Sequence, residues 1–321
     1  MIRRRTMFAG AALLAAPGVL QAQEAFPTRP VRVIVPFPPG GATDIIARLV
    51  CERLSARWGQ PVVIENRPGA GTIVGTQAIA RSAPDGYSFG YVISAHTINP
   101  ALRDDLPYDT LRDFAPITQV ARAHVVLAAH PSVPANTMRE LADLARRTPG
   151  GLSVATPGIG TVMHMIMELM AAATGAEFVH VPYQGGAPAL TDVMANRVPL
   201  ILDPWHSTRP HVEAGRLKVI AAASATPVPG APEIPLMNAT FPGLEAFSVV
   251  GVVGPAGMPP AIARKIQEDT RAVMAEPATA ERMASVGLEP VGNPPEEWGA
   301  FIAADIERWR NLVRVRNIRL N

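Results

Sequence analysis

The chain has 321 residues, 48% of them hydrophobic and 17% charged, with 29 Lys and Arg against 27 Asp and Glu for a formal charge of +2. This composition excludes a disordered chain and leaves room for about two domains, each with its own core. A single cysteine, Cys51, excludes an internal disulfide and any cysteine-rich zinc site.

The first 22 residues, "MIRRRTMFAGAALLAAPGVLQA", have an arginine-rich start, a short apolar core and small residues near Ala22, the layout of a secretory signal peptide. The apolar run from Met7 to Leu20 is too short for a membrane span and is broken by Pro17. Arg3, Arg4 and Arg5 match a twin-arginine signal only in part, so export by the Sec route is expected over Tat. Removing residues 1–22 takes away three arginines and no acid, leaving 26 basic against 27 acidic residues. The basic excess therefore belongs to the export signal, which argues against a nucleic-acid partner.

Next, "VRVIVPF" is β-branched and predicts a strand. "DIIARLVCERLSARWG" places Ile46, Leu49, Val50, Leu54 and Trp58 near helical spacing and stops at Gly59, with Cys51 as a buried structural thiol. A strand "PVVIEN", a helix "GTIVGTQAIARSA" and a strand "YSFGYVIS" entered through "PDG" complete a βαβαβ unit with a parallel sheet. A comparable series follows in "VVLAAHP", "NTMRELADLARRT", "LSVAT", "TVMHMIMELMAAATG", "EFVHVPY", "APALTDVMANR" and "LILDP". Two α/β lobes are expected. Met163, Met165, Met167 and Met170 recur on all sides of their helix and read as core rather than metal ligands. The proline-rich "ATPVPGAPEIPLM" reads as an ordered surface connection anchored by Ile234, Leu236 and Met237, with a disordered linker as the alternative. The tail "IERWRNLVRVRNIRLN" predicts a final amphipathic helix.

The loop "PFPPGGATD" lies between the first strand and its helix, where parallel α/β sheets bind ligands. Gly40 and Gly41 allow close backbone approach, and the first helical N–H groups, near Thr43 and Asp44, suit a carboxylate or phosphate. A turn in which Thr43 or Asp44 only caps the helix is the alternative. "LSVATPGIGTVMHM" repeats the arrangement with Thr156, Pro157, Gly158 and Gly160 before a helix from Thr161. Loops of this kind on separate lobes predict a grip on a small anion.

Enzyme motifs fail on context. "GYSFG" matches G-x-S-x-G, but its turn precedes Ser88 and a strand follows, the reverse of a nucleophile elbow. "GAGTIVG" has one residue too many for a dinucleotide fingerprint. There is no H-E-x-x-H, and His206 with His211 is poorly spaced for one helix face. No catalytic residue, metal or cofactor is expected.

"FPTRPVRVIVPFPPGGATDIIARLV", "GQPVVIENRPGAG", "PDGYSF", "LPYDTLRDFAPIT", "HVPYQGGAPALTDVM" and "GPAGMPP" together resemble the substrate-binding receptors of tripartite tricarboxylate transporters, the Bug (Bordetella uptake gene) family. The motifs run in family order across essentially the whole mature chain. The resemblance implies an α/β, two-lobed periplasmic-binding-protein fold of the Venus flytrap, type II kind, with mixed and parallel sheets and crossover hinge strands. Residues 27–125 and 248–321 would form lobe 1 and residues 126–247 lobe 2. It implies a monomeric periplasmic receptor without cofactor. Its ligand would be a small organic anion (mono-, di- or tricarboxylate, aromatic acid or acidic amino acid), passed to the membrane subunits of a tripartite tricarboxylate transporter. A receptor serving a sensory two-component system would have the same fold.

Carried over by motif, lobe 1 offers Phe37, Gly40, Gly41, Thr43 and Asp44 as ligand-binding residues, with Ser94 and His96 on the same rim. Lobe 2 offers Thr156, Gly158, Gly160, Thr161 and His164, then Tyr183, Gly185, Gly186 and Ala187, and finally Asp203. Asp44 and Asp203 would orient a loop or accept from a ligand amine. The chain departs from the family in having Thr156 for a common serine and Val249 and Val250 where many members have tryptophan. "DPWHSTRPH" is also unusual and puts Trp205, His206 and Arg209 near a possible rim, with simple packing or solvation as the alternative.

Overall fold

The β-branched run Val31–Val35 forms β1, buried at every position but Arg32, as a central parallel strand requires. The computed structural model describes residues 26–319, so the segment read as an export signal lies outside the described residues. α1 (Ala42–Trp58) follows β1 and stops where Gly59 turns left-handed at φ +63°. Then come β2 (Val62–Asn66), a 3-10 turn (Ala70–Thr72), α2 (Ile73–Ala80), β3 (Ser88–Ile93), α3 (Ala95–Leu102) and a long strand, β4 (Phe114–Ala129). The second series is α4 (Met138–Arg147), β5 (Leu152–Thr156), α5 (Val162–Thr174), β6 (Phe178–Pro182), α6 (Gly186–Met194), β7 (Leu200–Pro204), α7 (Trp205–Glu213), β8 (Lys218–Ala222) and α8 (Met237–Thr240). The chain closes with β9 (Phe247–Pro255), α9 (Pro260–Met274), α10 (Pro277–Ser285), β10 (Glu289–Pro290) and α11 (Pro295–Arg316).

β4 belongs to two sheets. Its first part, Phe114–His124, lies antiparallel to β9 in the order β2-β1-β3-β9-β4-β10, with β1 parallel to β2 and β3. Its last part, Val125–Ala129, lies antiparallel to β7 and β8 in the order β8-β4-β7-β5-β6, with β5 parallel to β6 and β7. The chain returns beside this crossing, where Ala246 N–H donates to Ala223 O at 2.6 Å and Phe247 then pairs with His124. Two neighbouring strands thus form the ribbon on which the two halves meet.

Each sheet has its own core. Met163, Met165, Met167 and Met170 are buried in the second, as the sequence pattern predicts, and Cys51 is buried in the first, where burial pushes its thiol up to about 12. Val249 and Val250 are buried in different clusters on the first sheet. The final helix spans both bodies. Trp298, Ile302 and Ile306 pack with the first, and Trp309 and Leu312 with the second. The proline-rich connection is ordered, anchored by buried Ile234 and Met237.

Candidate functional site

The loop after β1 is shaped by one carboxylate. Gly40 sits at φ +90°, where a side chain would be strained, and Gly41 begins α1 with no side-chain cap. Asp44, 1% exposed, accepts from Gly40 N–H at 2.9 Å, from Arg48 at 2.8 and 3.1 Å, and from Asn66 at 2.8 Å. Asn66 also donates to Phe37 O at 3.0 Å. Burial alone would raise the Asp44 pKa, but these donors outweigh it and hold the group at about 2. Asp44 is thus a brace for the loop, and the first N–H groups of α1 keep no side-chain partner. Asp44→Asn is expected to weaken ligand binding severalfold through loop loosening. Since the folded carboxyl is depressed, its stabilisation is present above the ordinary pKa and lost as pH falls toward 2, so an acid titration of unfolding should be flatter in the variant.

Beside Phe37 opens a cavity of about 490 Å³. One wall is built from Gly71, Thr72, Ile93, Ser94, Ala95, Asn99 and Arg103, and the other from Pro157 and Ile159 to Met163, with Ser248 of β9 between them. Three helices begin in these two walls, since Thr72, Ser94 and Thr161 stand at the N-caps of α2, α3 and α5. No aspartate or glutamate lines the cavity, and its one charged side chain, Arg103, makes no ion pair or side-chain hydrogen bond among the described residues. Partial positive charge from both sides suits the cavity to an anion. Thr72 is held at φ +79°, a conformation that costs a β-branched residue on the order of 1–3 kcal/mol and clusters at ligand sites.

Of the residues predicted from sequence, Phe37, Ser94, Gly160 and Thr161 meet in these walls. Gly40, Gly41 and Thr43 continue the Phe37 loop just outside it. Thr161 caps α5, accepting from His164 N–H at 3.3 Å and donating to Gly158 O at 2.8 Å, while the Ser94 hydroxyl accepts from Val249 N–H at 3.0 Å.

The remaining predicted residues do not line this cavity. His96, expected on the rim, is instead 2% exposed, with its ring edge-on to Phe114 at 4.9 Å, and burial lowers its pKa to about 3. Thr156 is fully buried and shares a 2.7 Å hydrogen bond with His180 Nε2, and His164 stacks on His180 at 4.1 Å. Burial pulls both histidines down to about 4. His164 Nδ1 accepts from Gly160 N–H at 3.3 Å and the Thr156 hydroxyl from Gly158 N–H at 3.3 Å, so this layer supports the glycine loop from beneath. Tyr183 turns away to donate to Asp192 at 2.8 Å.

Gly185, Gly186 and Ala187 start α6, and Asp203 at the end of β7 lies against them. A Cβ on Gly186 would come within 2.7 Å of Asp203 Oδ1. Asp203 is 2% exposed, accepts from the Ser207 hydroxyl, and is pushed up to about 6 by burial. Trp205, His206 and Arg209 are absent from the cleft and line a different cavity. Sequence reasoning missed Thr72, Asn99, Arg103, Ile159, Met163 and Ser248. Only the glycines around Thr72 signalled an unusual turn.

Residues 46–318 match the family described as tripartite tricarboxylate transporter family receptor. The chain belongs to that family. The receptor is similar to Protein BugT of Bordetella pertussis (strain Tohama I), 32% identical over 98% of this chain and 96% of the other. Among solved structures it is similar to R. palustris Rpa4515 with adipate, 32% identical with a TM-score of 0.78 over 92% of this chain and 99% of that one. It is also similar to the periplasmic binding protein BugD, 31% identical with a TM-score of 0.75 over the same shares. The fold is therefore the two-lobed α/β fold of periplasmic binding proteins, and the family is one of solute receptors, not of enzymes. Ser88, in the hydrolase-like motif, lies in β3 and accepts from Arg32 Nε at 3.2 Å. Among the described residues no cluster of His, Cys, Asp or Glu suits a metal ion, and no helix is long and apolar enough to cross a membrane.

Proposed function

We propose that the receptor captures a chain dicarboxylate in the 490 Å³ cleft and passes it to the membrane subunits of a tripartite tricarboxylate transporter. The observation that carries this reading is the meeting of three helix starts and Arg103 in a cavity without acids. One carboxylate rests on the helix starts, and Arg103 takes the other. The apolar middle of the ligand lies against Phe37, Ile93, Ile159 and Met163. The adipate in the R. palustris relative has this form.

Helix starts do not suffice by themselves. Each contributes about 0.3–1 kcal/mol, up to about 2 when partly buried, whereas micromolar affinity needs about 8 kcal/mol. Burial of the ligand chain and closure of the lobes supply the rest. Residues 27–125 with 248–321 move as one lobe against 126–247, turning on the β4–β9 ribbon. The protein acts as a monomer, exported to the periplasm by residues 1–22 through the Sec route.

A thermal-shift screen of the chain lacking residues 1–22 tests this with adipate, citrate, benzoate, glutamate and the neutral adipamide. Ligand at about 100 times its Kd adds roughly 2.7 kcal/mol. A shift with adipate and none with adipamide is expected; equal shifts, or none with any acid after removal of retained ligand, overturn the reading. Gly41→Val bears on the α1 start. Its Cβ has room, the nearest atom being Pro38 O at 3.9 Å, and its φ of −74° is ordinary, so the ligand-free melting point should hold. Adipate affinity should fall about tenfold as the valine covers the open N–H groups.

A further inference from the structure

A second cavity, of about 550 Å³, lies beside the hinge and shares no residue with the cleft. One side is the segment from Ala284 on α10 to Pro290 of β10, and the other comprises Trp205, His206 and Arg209 of α7 with the turn Val228–Gly230. His124 of the ribbon completes it. In the ribbon the pair Ala123–Ser248 is followed by His124–Phe247. Successive pairs project from opposite faces. Ser248 borders the cleft and His124 the second cavity, so the ribbon runs between the two.

The chemistry of this wall differs from that of the cleft. Its charges are already matched: Arg122 grips Glu289 at 2.6 and 3.0 Å, His124 Nε2 meets Glu289 at 2.9 Å, and Arg209 pairs with Glu213 at 2.6 Å. An incoming ion would find no free counter-charge. Much of the rest, Trp205, Val228, Pro229, Leu288 and Pro290, offers flat and apolar surfaces that suit a ring, with Ser285 as a polar exception. Trp205 Nε1 is buried without a hydrogen-bond partner, so a ring hydroxyl that turns the indole far enough to accept from it gains that bond. The two bodies already touch here, for a Cβ on Gly287 would come within 2.2 Å of His206 Cβ.

We propose that this cavity is a second binding site, for a small uncharged aromatic molecule of the phenol class, and that its occupancy opposes closure of the cleft. A rotation about the ribbon that narrows the cleft changes the second gap in the opposite sense. A ring bridging Trp205 and the Ala284–Pro290 segment touches both walls only while this gap is narrow, so its binding holds the cleft open. By linkage, a cleft ligand weakens the ring's binding by the same factor.

The test uses fluorotryptophan-labelled receptor titrated with p-cresol and followed by fluorine NMR. The chain has four tryptophans, and Trp205→Phe assigns the resonance of interest. Saturable movement of the Trp205 resonance is expected, and Ala284→Phe, which fills the mouth from an exposed helix position, should weaken it at least tenfold while the ligand-free melting point holds. No movement up to about 10 mM p-cresol, or equal movement in Ala284→Phe, overturns the site. The coupling rests on the cleft reading. Saturating p-cresol should lower adipate affinity about tenfold, and unchanged affinity overturns the coupling. Failure of adipate to bind at all counts against the cleft reading alone, because the p-cresol titration does not use the cleft.

Discussion

Charge reversal at the cleft wall, Arg103→Glu, is expected to lower adipate affinity about a hundredfold without changing the urea midpoint. Arg103 is the one charged side chain in the wall and has no protein partner among the described residues, so its loss leaves no buried charge uncompensated. A charge-assisted hydrogen bond contributes about 1.5–3 kcal/mol. A glutamate at the same place adds repulsion, about 3 kcal/mol at 6 Å with an effective dielectric of 20, and salt screens part of it because Arg103 is exposed. Arg103→Ala should lose about tenfold, and Arg103→Lys should retain part of the affinity, keeping charge but not the planar fork. Titration calorimetry at two salt concentrations checks the series. Wild-type affinity in Arg103→Glu would place the anion elsewhere and sink the proposed clamp.

The fold was legible where local chemistry decides it. β1 and α1 are announced by a β-branched run, a glycine loop and a helical stripe ending at Gly59, and all of these act within one element. Long-range pairing was harder to see. In "DFAPITQVARAHVVLAA" only the apolar end reads as strand, since Pro116, Arg122 and His124 interrupt the pattern. Arg122 and His124 are accommodated because both reach Glu289, a residue far along the chain. The alternation pattern also stops short of α9 and α10, although Pro260 and Pro277 in their first turns are start signals.

The site follows the same division. The two glycine loops can be read because glycine and proline report backbone shape. Arg103 cannot, being an exposed arginine with no spacing to mark it. His96 misleads for the opposite reason. A polar residue beside a loop suggests a rim, but the packing of its ring against Phe114 decides its place.

Asp203→Asn is expected to stabilise the receptor above pH 6 by up to about 3 kcal/mol and to change little near pH 3. Burial raises the folded carboxyl from the ordinary 3.8 to about 6. Between those values the folded state holds a proton that the unfolded state has released, so stability is full below the unfolded pKa and is lost as pH rises through the folded one. The shift of about 2 units corresponds to about 3 kcal/mol. Asparagine has nearly the shape of the neutral acid and can still accept from Ser207, so it avoids the cost of a buried charge. His164 and His180 work in the other direction, since their lowered pKa values remove stability as pH falls from their ordinary range toward 4. The difference between wild type and variant, read by urea unfolding across pH, therefore isolates Asp203. Parallel profiles would show that the carboxyl is not perturbed. A variant less stable at every pH would mean that the charge is needed at the start of α6, against Gly186. Should the variant gain stability and lose adipate, the buried acid is kept for binding at the expense of the fold, a trade that functional sites commonly make.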